Sequence, residues 1–192
     1  MPAPSTMRQA TPWSIFLLAL CLVSAGCVHR IHVTPLPTGV PSNTIPRSLQ
    51  VTLSPIALEG PDHRPGITFL AWSHRDLTQG ILDYLRQRGT FASVSSESGD
   101  LSLHMATKLV LSSRRGRYHY RVMLQADMRE EASQVIKSYL AEQTAVGSSV
   151  RWVTASDRHP IETALQLALE DVMRKIEADW SLYLNRTTQS PP

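Results

Sequence analysis

The sequence predicts an α/β fold, a two-layer sandwich in which a mostly antiparallel sheet has two helices packed on one face. Residues 101–111 and 118–129 alternate apolar and polar side chains, which is the period of strands with one buried face. Residues 73–89 and 161–183 repeat apolar side chains every three or four positions, as amphipathic helices do. The chain has 192 residues, of which 42% are hydrophobic and 18% charged, so we expect a folded domain rather than a disordered chain.

The first predicted elements are a strand and a helix. The folded part is expected to begin near Ser48, with a strand at 49–53 that alternates apolar and polar residues. A helix is expected from Ser73, because Ser73 and Asp76 have the spacing of a capping box. Gly89 is a suitable left-handed cap at its end.

Gly80 lies in the middle of this predicted helix, where glycine costs about 1 kcal/mol relative to alanine. Its lack of a side chain predicts a close approach of the helix to the sheet. Residues 91–94 are then expected to form a short strand.

The next segment predicts a long β-hairpin. Its turn lies within Ser112–Arg117, and Arg115-Gly116 can adopt the positive φ angles that a tight hairpin turn needs. A two-residue and a four-residue loop put the same side chains on each face, so the sequence leaves the loop length open. A third antiparallel strand is expected at 135–141. The apolar face of the two hairpin strands is predicted to comprise Leu101, Leu103, Met105, Thr107, Leu109, Leu111, Tyr118, Tyr120, Val122, Leu124, Ala126 and Met128.

The chain is predicted to close with a long helix whose apolar residues run from Ile161 to Tyr183. The domain therefore spans residues 48–186. Residues 187–192 are polar or proline and are expected to be disordered.

The first 26 residues are expected to be an export signal. Arg8 precedes the apolar run 13–23, which small residues follow, and this is the three-part pattern of a secretory signal peptide. The run is too short to favour a retained membrane helix, because crossing a bilayer takes about 20 apolar residues.

The residues Val23-Ser24-Ala25-Gly26-Cys27 resemble the lipobox of bacterial lipoproteins. In that family the signal is cut before the cysteine, which then carries two or three acyl chains, palmitate among them. The resemblance implies that Cys27 is acylated and that the protein is held in a membrane. Val28 stands where an aspartate would imply inner-membrane retention, so the resemblance implies the outer membrane, with the domain facing the periplasm.

Residues 27–47 are expected to form a tether between the acylated cysteine and the domain. They contain Pro35, Pro37, Pro41 and Pro46, and proline removes backbone donors and fixes φ. We therefore expect this stretch to be extended and without packed structure.

Two surface features are candidate partner-binding sites. Arg114, Arg115 and Arg117 lie at the predicted hairpin tip, where they either contact phosphate, lipid headgroups or an acidic partner, or are simply solvated. Met123, with Val110, is an apolar residue on the predicted solvent face of the sheet. A net charge of +3 gives no basis for nucleic-acid binding, and nothing in the sequence specifies a cofactor or a metal.

The element order resembles the small periplasmic α/β domain of several bacterial envelope lipoproteins. Examples are the TolB amino-terminal domain, the penicillin-binding-protein activator lipoproteins and the auxiliary lipoproteins of envelope transport systems. The resemblance implies a non-enzymatic accessory component of an envelope complex, in transport, outer-membrane assembly or cell-wall synthesis.

Two alternatives stay open at this stage. A periplasmic hydrolase would need His63, His104 or His119 beside a serine and a carboxylate, although the sequence has no G-x-S-x-G or H-E-x-x-H motif. His104 and His119 share the polar hairpin face, but no plausible register places them opposite each other. A lipid-binding protein would need a groove between the sheet and the helices.

Overall fold

In a computed structural model of the protein, residues 27–59, 68–130, 134–147 and 158–184 are described. The predicted signal peptide (1–26) and tail (187–192) lie outside these ranges. The helices are α1 (His74–Arg88) and α2 (Arg158–Ala178), and a short 3-10 helix follows at Trp180–Tyr183. The strands are β1 (Cys27–Ile31), β2 (Ile45–Leu53), β3 (Ala57–Glu59), β4 (Thr68–Trp72), β5 (Phe91–Ser95), β6 (Leu101–Arg114), β7 (Arg117–Glu130) and β8 (Gln134–Val146).

The main sheet is mixed and has the strand order β5-β2-β6-β7-β8, with β3 also paired to β6. As predicted, β6, β7 and β8 are antiparallel neighbours. The parallel pairing of β2 with β5 and β6, and of β3 with β6, has no counterpart in the sequence pattern. It is made possible by α1, because parallel neighbours need a crossover connection. Strands β1 and β4 form a separate parallel pair.

Both helices cover the same face of the sheet, α1 over β2 and β5 and α2 over β7 and β8. The predicted two-layer α/β sandwich is therefore confirmed. Each apolar side chain fully buried between the layers contributes about 1.5–3 kcal/mol. The buried positions of the hairpin are Leu101, Leu103, Met105, Thr107, Leu109, Leu111, Tyr120, Val122, Leu124, Ala126 and Met128, whereas Tyr118 is half-buried.

The hairpin turn is the two-residue type. Arg114 pairs with Arg117 in the antiparallel register, so only Arg115 and Gly116 lie between the strands. Their φ angles are 54° and 73°, as a type I′ turn requires at both central positions.

Helix α1 begins and ends where the sequence predicts. The Ser73 hydroxyl accepts a hydrogen bond from the Asp76 amide at 3.4 Å, and Gly89 caps the other end with a φ of 73°. The prediction for Gly80 is wrong, because the glycine faces another segment rather than the sheet. A Cβ there would lie 3.0 Å from the carbonyl oxygen of Val33.

That other segment, residues 33–44, is here called the proline-rich segment. It is extended, as predicted, but it lies against the helices, with Val33 and Pro35 buried. The expectation of a stretch without packed structure is therefore wrong, and residues 27–31 also contradict it because they pair with β4. Strand β2 also begins at Ile45, three residues before the predicted start of the domain at Ser48.

Three glutamates of α2 explain why the proline-rich segment packs. Glu162 accepts from the Thr34 amide at 3.1 Å, and Glu170 from the Thr38 amide at 2.7 Å. Glu177 accepts from the Ser42 amide at 3.1 Å. The spacing of the donors along the segment matches the spacing of the glutamates along α2. Four residues of polyproline-like chain rise about 12 Å, and seven or eight helical residues rise roughly 11–12 Å.

Helix α2 ends at Ala178, before the last residue of the predicted apolar repeat. Tyr183 is nevertheless buried, in the 3-10 helix, and its hydroxyl is hydrogen-bonded to that of Tyr139 on β8. Neither helix of the described ranges has the length and apolar character needed to cross a bilayer.

Candidate functional site

The face of the sheet opposite α1 and α2 contains a groove of about 490 Å³. The groove lies where β6, β7 and β8 run side by side, next to the segment that includes β3. Seven of its eleven lining residues are apolar, and none is a serine, cysteine or histidine. The lining comprises Pro55, Ala57, Ala106, Thr107, Lys108, Met123, Leu124, Gln125, Leu140, Ala141 and Glu142.

The strand register explains the composition of the groove. Met123 pairs with Lys108 on one side and Glu142 on the other, so an apolar side chain lies between a cation and an anion. The neighbouring row places Leu140 of β8 beside Gln125 of β7, and Leu140 is 67% exposed. The floor is thus apolar and open to solvent.

The charges at the rim of the groove already have partners within the chain. Lys108 forms an ion pair with Glu59 at 2.6 Å, and Glu142 forms one with Arg121 at 3.2 Å. Binding of an apolar group between them would therefore not leave an unpaired charge. With this volume, an apolar floor and an open side, the groove is suited to binding an apolar group.

The four predicted partner-binding residues do not form one site. Met123 lies in the groove, whereas Arg114, Arg115 and Arg117 are exposed at the hairpin tip. Arg114 is six residues beyond Lys108 on β6, or about 20 Å along the strand. The groove and the tip are therefore two separate surfaces.

His104 is hydrogen-bonded to a serine and a threonine. Its Nε2 atom lies 3.0 Å from the Ser54 hydroxyl, and its Nδ1 atom lies 3.0 Å from the Thr52 hydroxyl. A triad needs a carboxylate on Nδ1 to stabilise the imidazolium, and a hydroxyl has no charge with which to do so. Asp127, which faces His104 in the register, bonds to Gln125 instead.

The other two candidate histidines are His119 and His63. His119 pairs with Ser112, so the prediction that His104 and His119 are not opposite is confirmed. His63 lies outside the described residues. Within those residues, no group of three or more His, Cys, Asp or Glu side chains is placed to hold a metal ion.

The sequence also leaves open a lipid-binding groove between the sheet and the helices. The side chains that would line it form one continuous cluster of buried core residues. Leu124, Ile161 and Leu165 are among those with no exposed surface. The apolar groove lined by Met123 and Leu140 lies on the opposite face of the sheet.

A buried ionic network links α1, α2 and the proline-rich segment, and the sequence does not predict it. The Arg88 guanidinium donates to Glu177 at 2.6 and 3.1 Å and to Glu170 at 2.7 Å. Its side chain is 5% exposed and that of Glu177 is 1% exposed. Hydrogen bonding to Glu177 raises the pKa of Arg88 despite its desolvation. Every group in the network has a partner, which is typical of a structural role.

Cys27 is the first residue of β1, where its backbone is in register with Thr68 of β4. Only the backbone of β1 is described, so the acylation of Cys27 stays a prediction.

No protein-family model matches the sequence, and no curated protein matches it. Among solved structures, the chain is similar to a DUF330 protein from Xanthomonas campestris, with 15% identity and a TM-score of 0.50. That comparison covers 81% of this chain and 94% of the other.

Two further structures have lower scores. A minor lipoprotein from Acinetobacter baumannii is 10% identical over 72% of this chain and 92% of its own, with a TM-score of 0.45. A PelC dodecamer from Paraburkholderia phytofirmans is 12% identical over 77% of this chain and 96% of that chain, with a TM-score of 0.40. At these identities, the likeness to the DUF330 protein shows a shared fold.

Proposed function

We propose that the protein is a lipid-anchored, non-enzymatic binding component of the bacterial envelope, and that its groove takes up an apolar segment of an envelope protein. The observation that carries this proposal is the groove itself. It is an apolar, open depression on the sheet face opposite α1 and α2, and its lining has no serine, cysteine or histidine.

The anchor follows from the lipobox resemblance at Val23–Cys27. One acyl chain alone gives marginal membrane binding, whereas two or more make the attachment stable. We assign the protein to the outer membrane, facing the periplasm, because Val28 stands where inner-membrane retention would call for aspartate. Anchoring confines the groove near the membrane and raises its effective concentration for partners there.

The occupant of the groove is proposed to be a polypeptide rather than a small ligand. The groove is open along the sheet surface, so it would leave much of a small molecule in water, whereas small-molecule sites bury most of their ligand. Because Lys108 and Glu142 beside Met123 already pair with Glu59 and Arg121, recognition is proposed to depend on the apolar side chains of that segment.

Replacing Cys27 with serine is expected to abolish membrane attachment, because serine cannot take the thioether-linked lipid. The wild-type protein should incorporate labelled palmitate and remain with the envelope at high salt. The Cys27→Ser protein should incorporate none. Equal incorporation in the two proteins would contradict the anchor, and Cys21→Ser, which changes only the signal peptide, is the matched control.

A photo-crosslinking amino acid at Met123 is expected to give a discrete protein adduct in living cells. The adduct should disappear when Leu140→Asp places a charge in the groove, because burying an unpaired carboxylate is costly. Val135 is the matched control, since it is an exposed apolar residue of β8 outside the groove. A Met123 adduct that survives Leu140→Asp, or equal adducts at Met123 and Val135, would count against the groove as the docking site.

A further inference from the structure

We propose that the hairpin tip, defined as Arg114, Arg115 and Arg117, binds the headgroups of anionic phospholipids in the membrane that holds Cys27. This inference rests on the proposed acylation of Cys27. It adds a second, electrostatic membrane contact, which would orient the domain and its groove above the bilayer.

The first observation is that the tip concentrates positive charge without neutralising it. All three arginines are exposed, and Arg114 lies directly opposite Arg117 in the register. Like charges at opposed positions of an antiparallel pair are destabilising. Within the described parts of the chain none of the three forms an ion pair. By contrast, the surface residues Arg86, Arg121 and Arg174 each pair with a carboxylate.

The second observation is the direction in which the tip points. At the start of α1, the His74 ring bonds to the carbonyl oxygen of Leu53 at 3.1 Å, so this end of the helix lies at the end of β2. At the other end of α1, the Ile45 amide donates to the Thr90 carbonyl at 2.7 Å. Since β6 runs parallel to β2, the tip lies at the end of the domain where α1 begins.

Cys27 lies at that same end. Ile31 pairs with Trp72, two residues before α1, and Cys27 is four residues further out along β1. Four residues span at most about 14 Å, whereas the 15 residues of α1 are about 22 Å long, so Cys27 cannot reach the opposite end of the domain.

The tip extends further in this direction than Cys27 can. Met105 pairs with Leu53 at the end of β2, and Arg114 is nine residues further along β6, or about 30 Å. An acylated Cys27 would therefore turn this end of the domain, and with it the tip, toward the bilayer. Guanidinium groups bind phosphate through paired hydrogen bonds, and anionic lipids present such phosphates at the membrane surface.

The test uses the full-length, acylated protein with Ser113→Cys at the tip. Its free thiol is unique, because Cys21 leaves with the signal peptide and Cys27 is acylated. The thiol carries a fluorophore, and the protein is placed in vesicles of phosphatidylglycerol and phosphatidylcholine that contain a headgroup-spin-labelled lipid. The matched control is Gln134→Cys, an exposed position at the other end of the β7–β8 pair.

We expect strong quenching at position 113 and none at position 134. The quenching should be lost in pure phosphatidylcholine, in 1 M salt, where the Debye length is about 3 Å, and in a variant with Arg114→Gln, Arg115→Asn and Arg117→Gln. Asparagine is chosen at 115 because it tolerates positive φ. In each case the acylated protein should still float with the vesicles.

Equal quenching at positions 113 and 134 in floating protein would overturn the tip contact and leave the anchor standing. Quenching that persists in the triple variant or in pure phosphatidylcholine would also overturn it, because the arginines would not be its cause. Failure of every variant to float would overturn the anchor, and the tip contact with it.

Discussion

Replacing Glu177 with glutamine is expected to lower the free energy of unfolding by about 3–5 kcal/mol, the usual effect of breaking a buried ion pair by removing one partner. For a chain of this size, such a loss lowers the melting temperature by roughly 6–20 °C. The reason lies in the number of donors that converge on this one carboxylate.

The Glu177 carboxylate accepts five hydrogen bonds. Two come from Arg88, one from the Thr90 hydroxyl at 2.8 Å, and two from the amide and hydroxyl of Ser42 at 3.1 Å. Glutamine keeps the shape of the side chain but turns one acceptor into a donor, which then faces other donors. It also removes one of the two negative charges that neutralise Arg88, the other being on Glu170.

Thermal and urea unfolding of the purified protein would measure this effect. Glu142→Gln is the matched control, because its pair with Arg121 is half exposed and such pairs are worth about 0–1 kcal/mol. If the two variants lost the same stability, the network around Glu177 would not be important for folding.

The same network predicts how stability depends on pH. Burial alone would raise the pKa of Glu177, but the hydrogen bonds from Arg88, Thr90 and Ser42 outweigh it and hold the pKa below its usual range. The pKa of Glu170 is lowered in the same way, by Thr38 and Arg88 against desolvation. A lowered pKa in the folded state gives stability that is complete above the unfolded-state pKa, near 4.3, and is lost as the pH falls through the folded value. Glu177→Gln should flatten this acid limb.

The local elements of the fold are predictable from the sequence because each has its own local signal. The hairpin follows from strict alternation on both strands and from Arg115-Gly116 in its turn, and α1 follows from its Ser73 and Gly89 caps. The packing of residues 33–44 has no such signal. Prolines and polar residues have the same composition whether the segment is solvated or lies along a helix. What decides the outcome is the spacing of glutamates more than 120 residues away.

The site is predictable only in part, for a related reason. Met123 is an apolar residue on the solvent face of a strand. The alternation of side chains along the strand is enough to place it on that face. Leu140 and Glu142 become its neighbours only through the register between β7 and β8. Ala57 comes from β3, a short strand whose pairing with β6 depends on the parallel arrangement that the pattern does not predict.

Gly99 is the site of the second large expected effect. It lies in the connection from β5 to β6, which must pass β2 because β2 lies between them. The connection is held to β2 by Asp100, whose carboxylate accepts from the Ser48 hydroxyl at 2.7 Å and from its amide at 3.0 Å. These hydrogen bonds from Ser48 lower the pKa of Asp100. The connection therefore has little freedom to move away from the strand.

Gly99→Ala is expected to cost about 3 kcal/mol, at the upper end of the usual range for overpacking. The added Cβ would lie 2.3 Å from the Gln50 amide nitrogen and 2.6 Å from the Leu49 carbonyl carbon. Both are backbone atoms of β2, so no change of rotamer relieves the overlap, and the sheet or the Ser48–Asp100 contact must shift. Gly39→Ala is the matched control, because nothing lies within 4 Å of its Cβ position. Removing a glycine there restricts only the unfolded chain, which should raise stability by about 0.4–1 kcal/mol. Denaturant unfolding that ranked the two variants equally would show that the connection does not lie against β2 as described.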